Sequence, residues 1–415
     1  SLLSMKREDS PDVDEIVANI IEDVRIRGDA AVIDFTKRFD RFDVTVQTLR
    51  ISDAEVDANI SKVNAAEKKA LALAAQRIRS FHEKQLPRDL RWRETNGAEL
   101  GWRWTPVSAA GLYVPGGLAS YPSSVLMNAI PANVAGVERL VITVPTPEGV
   151  INPLVLLAAR LSGVTEIYRV GGAQAVAALA YGTETITPVD KITGPGNAYV
   201  AAAKRRVFGK VGIDMIAGPS EILIIADGAN DPDWIALDLL SQAEHDESAQ
   251  SILITTDAAF ASSVCDAVDK RLKTLERAKI ARASWENFGA VITVPSLDVA
   301  AHLSDRIAPE HLELCVPDPD ALAQKIRHAG AIFLGAWTPE AIGDYIGGPN
   351  HVLPTARSAR FSSGLSVLDF MKRTTLASMN AEALREIGFA AETLARSESL
   401  EAHRLSVTAR LRKLN

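Results

Sequence analysis

Short apolar segments alternate with helical patterns from about residue 111 onward, and this alternation constrains the fold more than any other feature. Three apolar segments, at 139–145, 166–170 and 191–193, are each followed closely by a segment with helical periodicity. A second series of the same kind runs from 221 to 334. Strands joined through helices by such short connections pair in parallel, with helices on both faces of the sheet. The sequence therefore predicts an α/β fold with two Rossmann-like parallel-sheet domains.

The length of 415 residues also favours several domains, because it exceeds one ordinary hydrophobic core. We expect residues 1–112 and 222–365 to form a first, discontinuous α/β domain that carries the candidate metal and catalytic residues described below. Residues 113–221 are predicted to form a second α/β domain. The final segment, 366–415, has an all-helical pattern and is short for a domain of its own. It is predicted to be a small helical tail domain that packs against a partner.

Charge and hydropathy exclude several classes of protein. The net charge is −7, whereas a general nucleic-acid binder is usually basic on at least one face. No apolar run approaches the roughly 18 residues of a membrane span, and the first residues are too few and too charged for a signal peptide. We therefore expect a cytoplasmic protein. Cys265 and Cys315 lie in largely apolar stretches, which favours buried thiols over a disulfide or a reactive site.

Three glycine turns lie where strands of the first series should pass into helices. They are Tyr113-Val-Pro-Gly-Gly117, Gly171-Gly-Ala-Gln174 and Gly194-Pro-Gly-Asn197. Such turns at the carboxyl ends of strands expose N–H groups and helix N-termini to phosphate. None has the dinucleotide fingerprint, because Tyr199 occupies the position of the third glycine. One turn alone is more often structural, but three on one side of one sheet favour a nucleotide site.

A helix is predicted from Asp231-Pro232 to about His245, because Asp231 is a good N-cap and Pro232 a good first residue. Gln242 and His245 lie three residues apart near its end, so an amide oxygen and an imidazole nitrogen can reach one ion. Taken alone, the pair is more typical of a solvated last turn, where the helix dipole favours histidine.

Glu310-His311 opens a predicted buried strand. A carboxylate beside a histidine offers two groups that can move protons near neutral pH. A loop carboxylate and a packed histidine are an equally good interpretation of these two residues alone.

Asp344 lies with Asn350 and His351 in a glycine-rich loop that is dense in ligand-type side chains, although most such loops are simple turns. Glu398 and His403 lie in the final helical pair, where a solvated helix surface is the default interpretation.

The chain resembles the histidinol dehydrogenases in phrases that occur in the family's order over nearly its whole length. These phrases are Gly111-Leu-Tyr-Val-Pro-Gly-Gly117, Val170-Gly-Gly-Ala-Gln174, Gly194-Pro-Gly-Asn197, Ala217-Gly-Pro-Ser-Glu221, Leu239-Leu-Ser-Gln-Ala-Glu-His245, Pro309-Glu-His-Leu312, Gly343-Asp-Tyr345 and Asn350-His-Val-Leu-Pro354. The departures are small: Ala308 stands where many relatives have glycine, and Gly348-Pro349 where threonine is common. The chain also begins slightly late, so we expect an N-terminal helix that helps to cover the family's dimer to be missing.

The resemblance implies that zinc and two NAD⁺ serve to oxidise L-histidinol through an aldehyde to L-histidine. It implies a zinc site, one per subunit, made of Gln242, His245, Asp344 and His403. Glu310 and His311 would be the acid–base pair, and Tyr113, Gln174 and Asn197 would hold NAD. The implied substrate contacts are Ser220, Gln242, His245, His311, Asp344, Glu398 and His403.

The family's oligomer and reaction give further expectations. The resemblance implies a homodimer in which the tail, 366–415, crosses to complete the partner's active site. In the first step His311 would accept the alcohol proton, and in the second Glu310 would activate water to attack the aldehyde. An N/O ligand set with one carboxylate leaves positions open for the substrate's amine and imidazole.

Three other functions fit parts of the sequence. A dehydrogenase of the same fold could act on another primary alcohol, because a fold does not fix a substrate. A zinc hydrolase could use Glu310 as its base, but the three glycine turns would then have no purpose. A non-catalytic nucleotide-binding protein would not need Glu310 and His311.

Overall fold

The computed structural model describes residues 11–115, 121–216 and 218–414. Contacts between residues divide these ranges into two compact units. The larger unit contains the described residues up to Gln85 and from Ser108 to Phe370, and the smaller contains Leu86–Val107 and the described residues from Met371 onward. No helix in these ranges has the length and apolar character that a membrane crossing requires.

The strands form three sheets. In chain order they are β1 (Leu90–Arg93), β2 (Glu99–Pro106), β3 (Ala109–Tyr113), β4 (Arg139–Thr143), β5 (Glu166–Tyr168), β6 (Lys191–Thr193), β7 (Gly212–Ile213), β8 (Glu221–Ala226), β9 (Gln250–Thr255), β10 (Ala290–Thr293), β11 (His311–Cys315), β12 (Ala331–Leu334) and β13 (Met371–Ser378). The two larger sheets lie in the larger unit and the third in the smaller.

Many helices begin where the sequence provides a cap. Asn152, Asp231 and Asp257 each accept a hydrogen bond from a first-turn N–H, and proline follows the first two. The helices are α1 (Pro11–Arg27), α2 (Asp29–Asp40), α3 (Val46–Leu49), α4 (Asp53–Ile60), α5 (Ala65–Glu83), α6 (Pro122–Ala135), α7 (Pro153–Ser162), α8 (Gly172–Tyr181), α9 (Ala198–Val207), α10 (Pro232–Ala243), α11 (Ala258–Arg271), α12 (Ala278–Phe288), α13 (Leu297–Ile307), α14 (Pro319–Ala323), α15 (Glu340–Tyr345), α16 (Ala381–Ser397) and α17 (Glu401–Leu414), with 3₁₀ turns at Pro147–Gly149, Ser358–Arg360 and Val367–Phe370.

The two five-stranded sheets of the larger unit have the same strand order. The first sheet runs β5-β4-β3-β6-β7 and the second β10-β9-β8-β11-β12, and all neighbouring strands are parallel. Both therefore begin at a central strand and grow outward in both directions, which is a Rossmann-like arrangement. This confirms the predicted α/β class with two parallel sheets and a helical C-terminal region.

The borders between the sheets differ from those predicted. Strand β3 pairs with β4 and β6, so the predicted border between residues 112 and 113 cuts through a strand of the first sheet. Helix α1 also belongs there, because Val17 and Val24 share a core with Val176 of α8. The prediction that residues 1–112 join 222–365 therefore does not hold for α1, because apolar periodicity marks a buried face but not the partner that covers it.

The smaller unit is not purely helical. Strands β1, β2 and β13 form an antiparallel sheet, so the all-helical prediction from residue 366 is wrong over Met371–Ser378. Arg373 pairs with Trp104 across β13 and β2, and its guanidinium lies 6.0 Å from the centre of one Trp104 ring. Such distant cross-strand pairs override local helix propensity. Helices α16 and α17 agree with the predicted pair.

Local differences from the predictions have local causes. Helices α4 and α5 are separate, because Asn64 forms a capping box with Glu67 and starts α5. Helix α10 ends at Ala243, two residues earlier than predicted. Cys315 is a buried free thiol, and Cys265 is a free thiol that is only half-buried.

Candidate active site

The candidate active site lies at the amino edge of the second sheet, where β11 begins. His311 is the first residue of this strand and Glu310 precedes it, and both are almost fully buried. Strand β11 lies between β8 and β12. The strand is thus covered on both edges, and the burial of these two polar residues agrees with the buried strand that the sequence predicted.

The imidazole of His311 is held in one orientation. Its Nδ1 atom lies 3.0 Å from the main-chain carbonyl oxygen of Glu221, and a carbonyl can only accept, so Nδ1 carries the proton. The Nε2 atom then keeps its lone pair, and it has no hydrogen-bond partner among the described residues. Burial lowers the pKa of His311, which favours the neutral ring. The geometry is that of a general base.

Glu310 is fixed by the same residue of β8. Its Oε2 atom accepts a hydrogen bond of 2.9 Å from the main-chain N–H of Glu221 and lies 3.6 Å from Nδ1 of His311. The two main-chain groups of Glu221 thus hold the two candidate catalytic side chains together. A buried carboxylate held in this way can accept a proton from water without first having to move.

Two carboxylates of α15 face the free nitrogen of His311. Its Nε2 lies 3.6 Å from Oε1 of Glu340 and 3.9 Å from Oδ1 of Asp344. One ligand atom from each of these three residues lies within 4.8 Å of the others, a spacing that suits a metal ion. Burial, followed by the charge of Asp344, raises the pKa of Glu340 to about 10. A cation here would favour the ionised carboxylates.

Gln242 and His245 reach the same edge of the sheet from the end of α10. Gln242 is buried and its Oε1 atom has no hydrogen-bond partner among the described residues. His245 lies just beyond the helix, with its N–H bonded to the carbonyl of Gln242. Burial chiefly lowers the pKa values of His311 and His351, and the nearby His245 lowers them slightly further.

His351 links the candidate site to the first sheet. Its Nδ1 lies 3.0 Å from the carbonyl oxygen of Asp344, and its Nε2 lies 3.4 Å from the hydroxyl of Ser124 on α6. The neighbouring Asn350 donates to the carbonyl of Met127, also on α6. Asp344 thus lies in α15 and not in the predicted loop, and His351 and Asn350 connect the end of this helix to α6.

The donor atoms at this edge fit a divalent metal such as zinc. Three buried atoms, Oε1 of Gln242, Nε2 of His311 and Oε1 of Glu340, have no hydrogen-bond partner in the described part of the chain. Such orphaned polar atoms are costly unless a ligand or water satisfies them. Imidazole, amide and carboxylate donors belong to the set that zinc accepts.

The second and third glycine turns lie at the carboxyl edge of the first sheet, as do Tyr113 to Pro115 of the first turn, whose Gly116 and Gly117 lie outside the described residues. Tyr113 ends β3, and its hydroxyl accepts a hydrogen bond of 3.0 Å from the N–H of Gly172. Burial raises the pKa of Tyr113 to about 12, so the ring stays neutral. Gln174 is buried in α8, whereas Asn197 is exposed and caps α9 through the N–H groups of its first turn. The edge thus offers helix N-termini to an anionic ligand.

The remaining predicted residues lie in two different units. Ser220 precedes β8 in the larger unit, next to the site, and its carbonyl accepts from the N–H of Gln250. Glu398 and His403 lie in the smaller unit, after α16 and within α17, and both are exposed. These two positions agree with the solvated helix surface that is the default interpretation for one chain.

The sequence interpretation did not single out the buried acids Glu340 and Glu313. The signal for both was spacing: Glu340 lies four residues before Asp344, and Glu313 lies two residues after His311, so each falls on the face of a candidate residue. Acids at such positions are usually solvated, so spacing alone was a weak signal.

Comparisons with known proteins agree on one family. The family model for histidinol dehydrogenase matches residues 3–411. The chain is 74% identical to the histidinol dehydrogenases of Cereibacter sphaeroides and of Ruegeria pomeroyi, in each case over all of this chain and 96% of the relative. The fold is similar to the crystal structure of histidinol dehydrogenase from Elizabethkingia anophelis, with a TM-score of 0.95 and 38% identity, covering 99% of this chain and 95% of that one.

Proposed function

Since this chain belongs to the histidinol dehydrogenase family of oxidoreductases, we propose that it oxidises L-histidinol to L-histidine through L-histidinal, with two hydride transfers to NAD⁺. This reaction would be the last step of histidine biosynthesis. The observation that carries the proposal is the pair of Glu310 and His311, which the main chain of Glu221 holds beside a cluster of metal-type donors. One buried site then contains a base for each of two oxidations.

His311 is the base of the first oxidation in this proposal. Its Nε2 lone pair would accept the hydroxyl proton of histidinol while hydride passes to NAD⁺, and the lowered pKa keeps the ring neutral for this task. Glu310 would take a proton from water as the water adds to the aldehyde. The hydrate that results would then lose the second hydride. Holding the aldehyde between the steps keeps a reactive compound out of solution.

One zinc ion per subunit would be held by Gln242, His245 and Asp344 together with His403 of the partner subunit. Zinc bound there would serve mainly as a template for the amine and imidazole of the substrate. The orphaned Oε1 of Gln242 and the N/O donor set support this assignment. Ser220, His311 and Asp344 of the same chain would provide further substrate contacts, together with Glu398 of the partner subunit.

Removing the metal tests this assignment. The three ligands of one chain lie on or next to α10 and α15. Helix α10 packs on β8 and β9, and α15 packs on α10, so contacts within the protein already position these ligands. Chelation should therefore abolish activity and leave the thermal transition cooperative. An apoprotein that melts without cooperativity would instead mean that the metal is structural.

NAD would bind at the carboxyl edge of the first sheet, with Tyr113, Gln174 and Asn197 in contact. The support is positional: the turns follow β3, β5 and β6, which are the central strand and strands on either side of it. Ligands of open α/β sheets bind at such an edge, where strand order reverses.

The proposed dimer shares each active site between two chains. Exposed apolar side chains on α16 and α17 support a role for this helix pair in association, because such surface is seldom left uncovered. They are Ile387, Phe389, Leu394 and Leu405. A cytoplasmic location stays a prediction.

The runner-up is a dehydrogenase of the same fold for another primary alcohol. Such an enzyme would not need Glu398 and His403, which are the implied contacts to histidinol. The two functions therefore differ in whether the substrate must carry an imidazole. The absorbance of NADH measures both the stoichiometry with histidinol and the activity with simple alcohols. Two NADH per histidinol and none from simple alcohols are expected, whereas one NADH per histidinol would overturn the four-electron reaction.

A further inference from the structure

Three buried or half-buried carboxyl groups form a layer directly beneath the candidate site. Asp238 lies four residues before Gln242 on α10, and Glu340 four residues before Asp344 on α15. Glu313 lies two residues after His311 on β11. Spacings of four in a helix and two in a strand place side chains on the same face. Each element that carries a site residue therefore carries an acid one step further in, and we call these three acids the carboxyl layer.

Glu313 is the member of the carboxyl layer that lies next to both of the others. Its side chain is completely buried, and its Oε1 accepts a hydrogen bond of 2.6 Å from the main-chain N–H of Glu340. The carboxyl group of Asp238 on α10 lies beside that of Glu313, close enough for the two groups to interact directly. One side chain of β11 therefore contacts both α10 and α15.

The contact with Glu340 provides an N-terminal cap for α15. Pro339 stands at the N-cap of this helix and has no side-chain oxygen with which to bond a first-turn N–H. Glu313 supplies the missing acceptor from a neighbouring strand. The start of the helix that carries Asp344 is thereby fixed relative to the strand that carries His311.

The contact with Asp238 requires a shared proton. Two carboxylates cannot both be ionised side by side in a buried site, and burial raises the pKa of Asp238 to about 6 and that of Glu313 well above its usual range. The proton that one of the two groups keeps allows them to attract instead of repelling each other. Apolar residues would fill this space without the cost of burying carboxyl groups, but they would connect neither helix to the strand.

We propose that Asp238 and Glu313 are positioning residues whose contacts fix α10, β11 and α15 relative to one another, and so set the spacing between the metal ligands Gln242 and Asp344 and the base His311. The proposal rests on the proposed zinc site. Groups that orient metal ligands from behind typically change metal affinity by roughly 10- to 100-fold when they are removed.

Three variants and one control test this role. Glu313→Leu removes both contacts and Asp238→Leu removes one, whereas in Glu313→Gln the amide oxygen can still accept from Glu340 and the amide N–H₂ can donate to Asp238. Asp257→Ala is the matched control, because Asp257 caps α11 with its carboxylate at the opposite edge of the same sheet. Zinc affinity of each apoprotein is measured by competition with a chelator, and ligand geometry by the visible spectrum of bound Co²⁺.

We expect Glu313→Leu and Asp238→Leu to bind zinc roughly 10- to 100-fold more weakly and to alter the Co²⁺ spectrum. Glu313→Gln should restore both, and Asp257→Ala should lose stability with its zinc affinity unchanged. Wild-type affinity and spectrum in both leucine variants would overturn the positioning role, as would a glutamine variant as impaired as leucine. If Glu313→Leu does not fold, Asp238→Leu decides the question alone. Failure of the wild-type protein to bind zinc would instead overturn the proposed function.

Discussion

The Nδ1 atom of His311 lies 3.0 Å from the main-chain carbonyl oxygen of Glu221, and this contact fixes which ring nitrogen can act as a base. The lone pair is directed to Nε2, which faces the carboxylates of Glu340 and Asp344. Glu310 is bonded to the N–H of the same Glu221. Two proton acceptors are thus held by one residue of β8, at the edge where the metal-type donors lie.

Replacing His311 by Asn should slow both oxidations by roughly 10²- to 10⁴-fold, because histidinol must lose its hydroxyl proton in the first oxidation and the hydrate must lose one in the second. Zinc content should stay at the wild-type level, since His311 is assigned as the base and not as a ligand. His245→Asn is the matched variant and should lose zinc. Stopped-flow rates and metal analysis check both points. Near-normal turnover would remove His311 from the mechanism, and zinc loss would make it a ligand.

Replacing Glu310 by Gln should impair the oxidation of histidinal far more than that of histidinol, because only the second step requires activated water. The amide oxygen can still accept from the N–H of Glu221, so the fold around the site should be preserved. The two steps are measured separately by supplying histidinol or histidinal. An equal loss in both would contradict the division of roles between Glu310 and His311.

Gly194→Ala should weaken NAD⁺ binding about tenfold or more. A tenfold loss of affinity corresponds to about 1.4 kcal/mol of binding free energy. The backbone φ of Gly194 is +117°, and an added Cβ would collide with the carbonyl oxygen of Tyr113, so this turn and Tyr113, a proposed NAD contact, must move apart. Gly209→Ala is a control with equal backbone strain, because its φ is +99° and an added Cβ meets open space. Fluorescence titration with NADH should separate them. Equal NADH affinities in the two variants would argue against a cofactor at this turn.

The stability of the metal-free protein should depend on pH through Asp238. Its pKa is raised by burial to about 6, above the usual value of about 3.9 for an unfolded chain. The stability that the protonated group contributes is therefore complete below about pH 4 and is lost as the pH rises through about 6. Urea unfolding between about pH 4 and pH 8 should show a fall in wild-type stability that is smaller in Asp238→Asn. Identical pH profiles would mean that Asp238 does not titrate in this window.

Local patterns predicted the strands and helices that the two large sheets require. Asp231 and Pro232 marked the start of α10, and the buried segment after Glu310 marked β11, because caps and apolar runs are properties of neighbouring residues. Met371–Ser378 was missed because its structure comes from pairing with β2, far away in the sequence. The position of α1 on the first sheet was missed for the same reason.

The residues of the candidate site could be predicted from the sequence, but the contacts that hold them could not. The residue types of Gln242, Glu310 and Asp344 pointed to metal and proton chemistry, and the family resemblance gave each a role. The contact of Glu313 with Glu340 joins a strand to a helix 27 residues later, and no local pattern indicates it. Contacts of this kind depend on how separate elements pack, which composition and spacing do not specify.

The last prediction concerns the chain from which His403 acts. If each site combines Glu310 and His311 of one chain with His403 of the partner subunit, inactive His311→Asn and inactive His403→Ala chains should complement each other. In a mixed dimer one site collects both defects and the other has none, by the two-fold symmetry of the pair. Random pairing makes half of the dimers mixed, so about a quarter of the wild-type sites should return.

Co-expression, or joint refolding of the two variants, followed by an NADH assay measures this complementation. The control is each variant taken alone through the same procedure, together with wild-type protein that sets the yield of active sites. A site built from one chain keeps one defect in every dimer, whatever the pairing. Activity no higher than that of the parent variants would therefore show that each tail serves its own chain, and would overturn the shared active site.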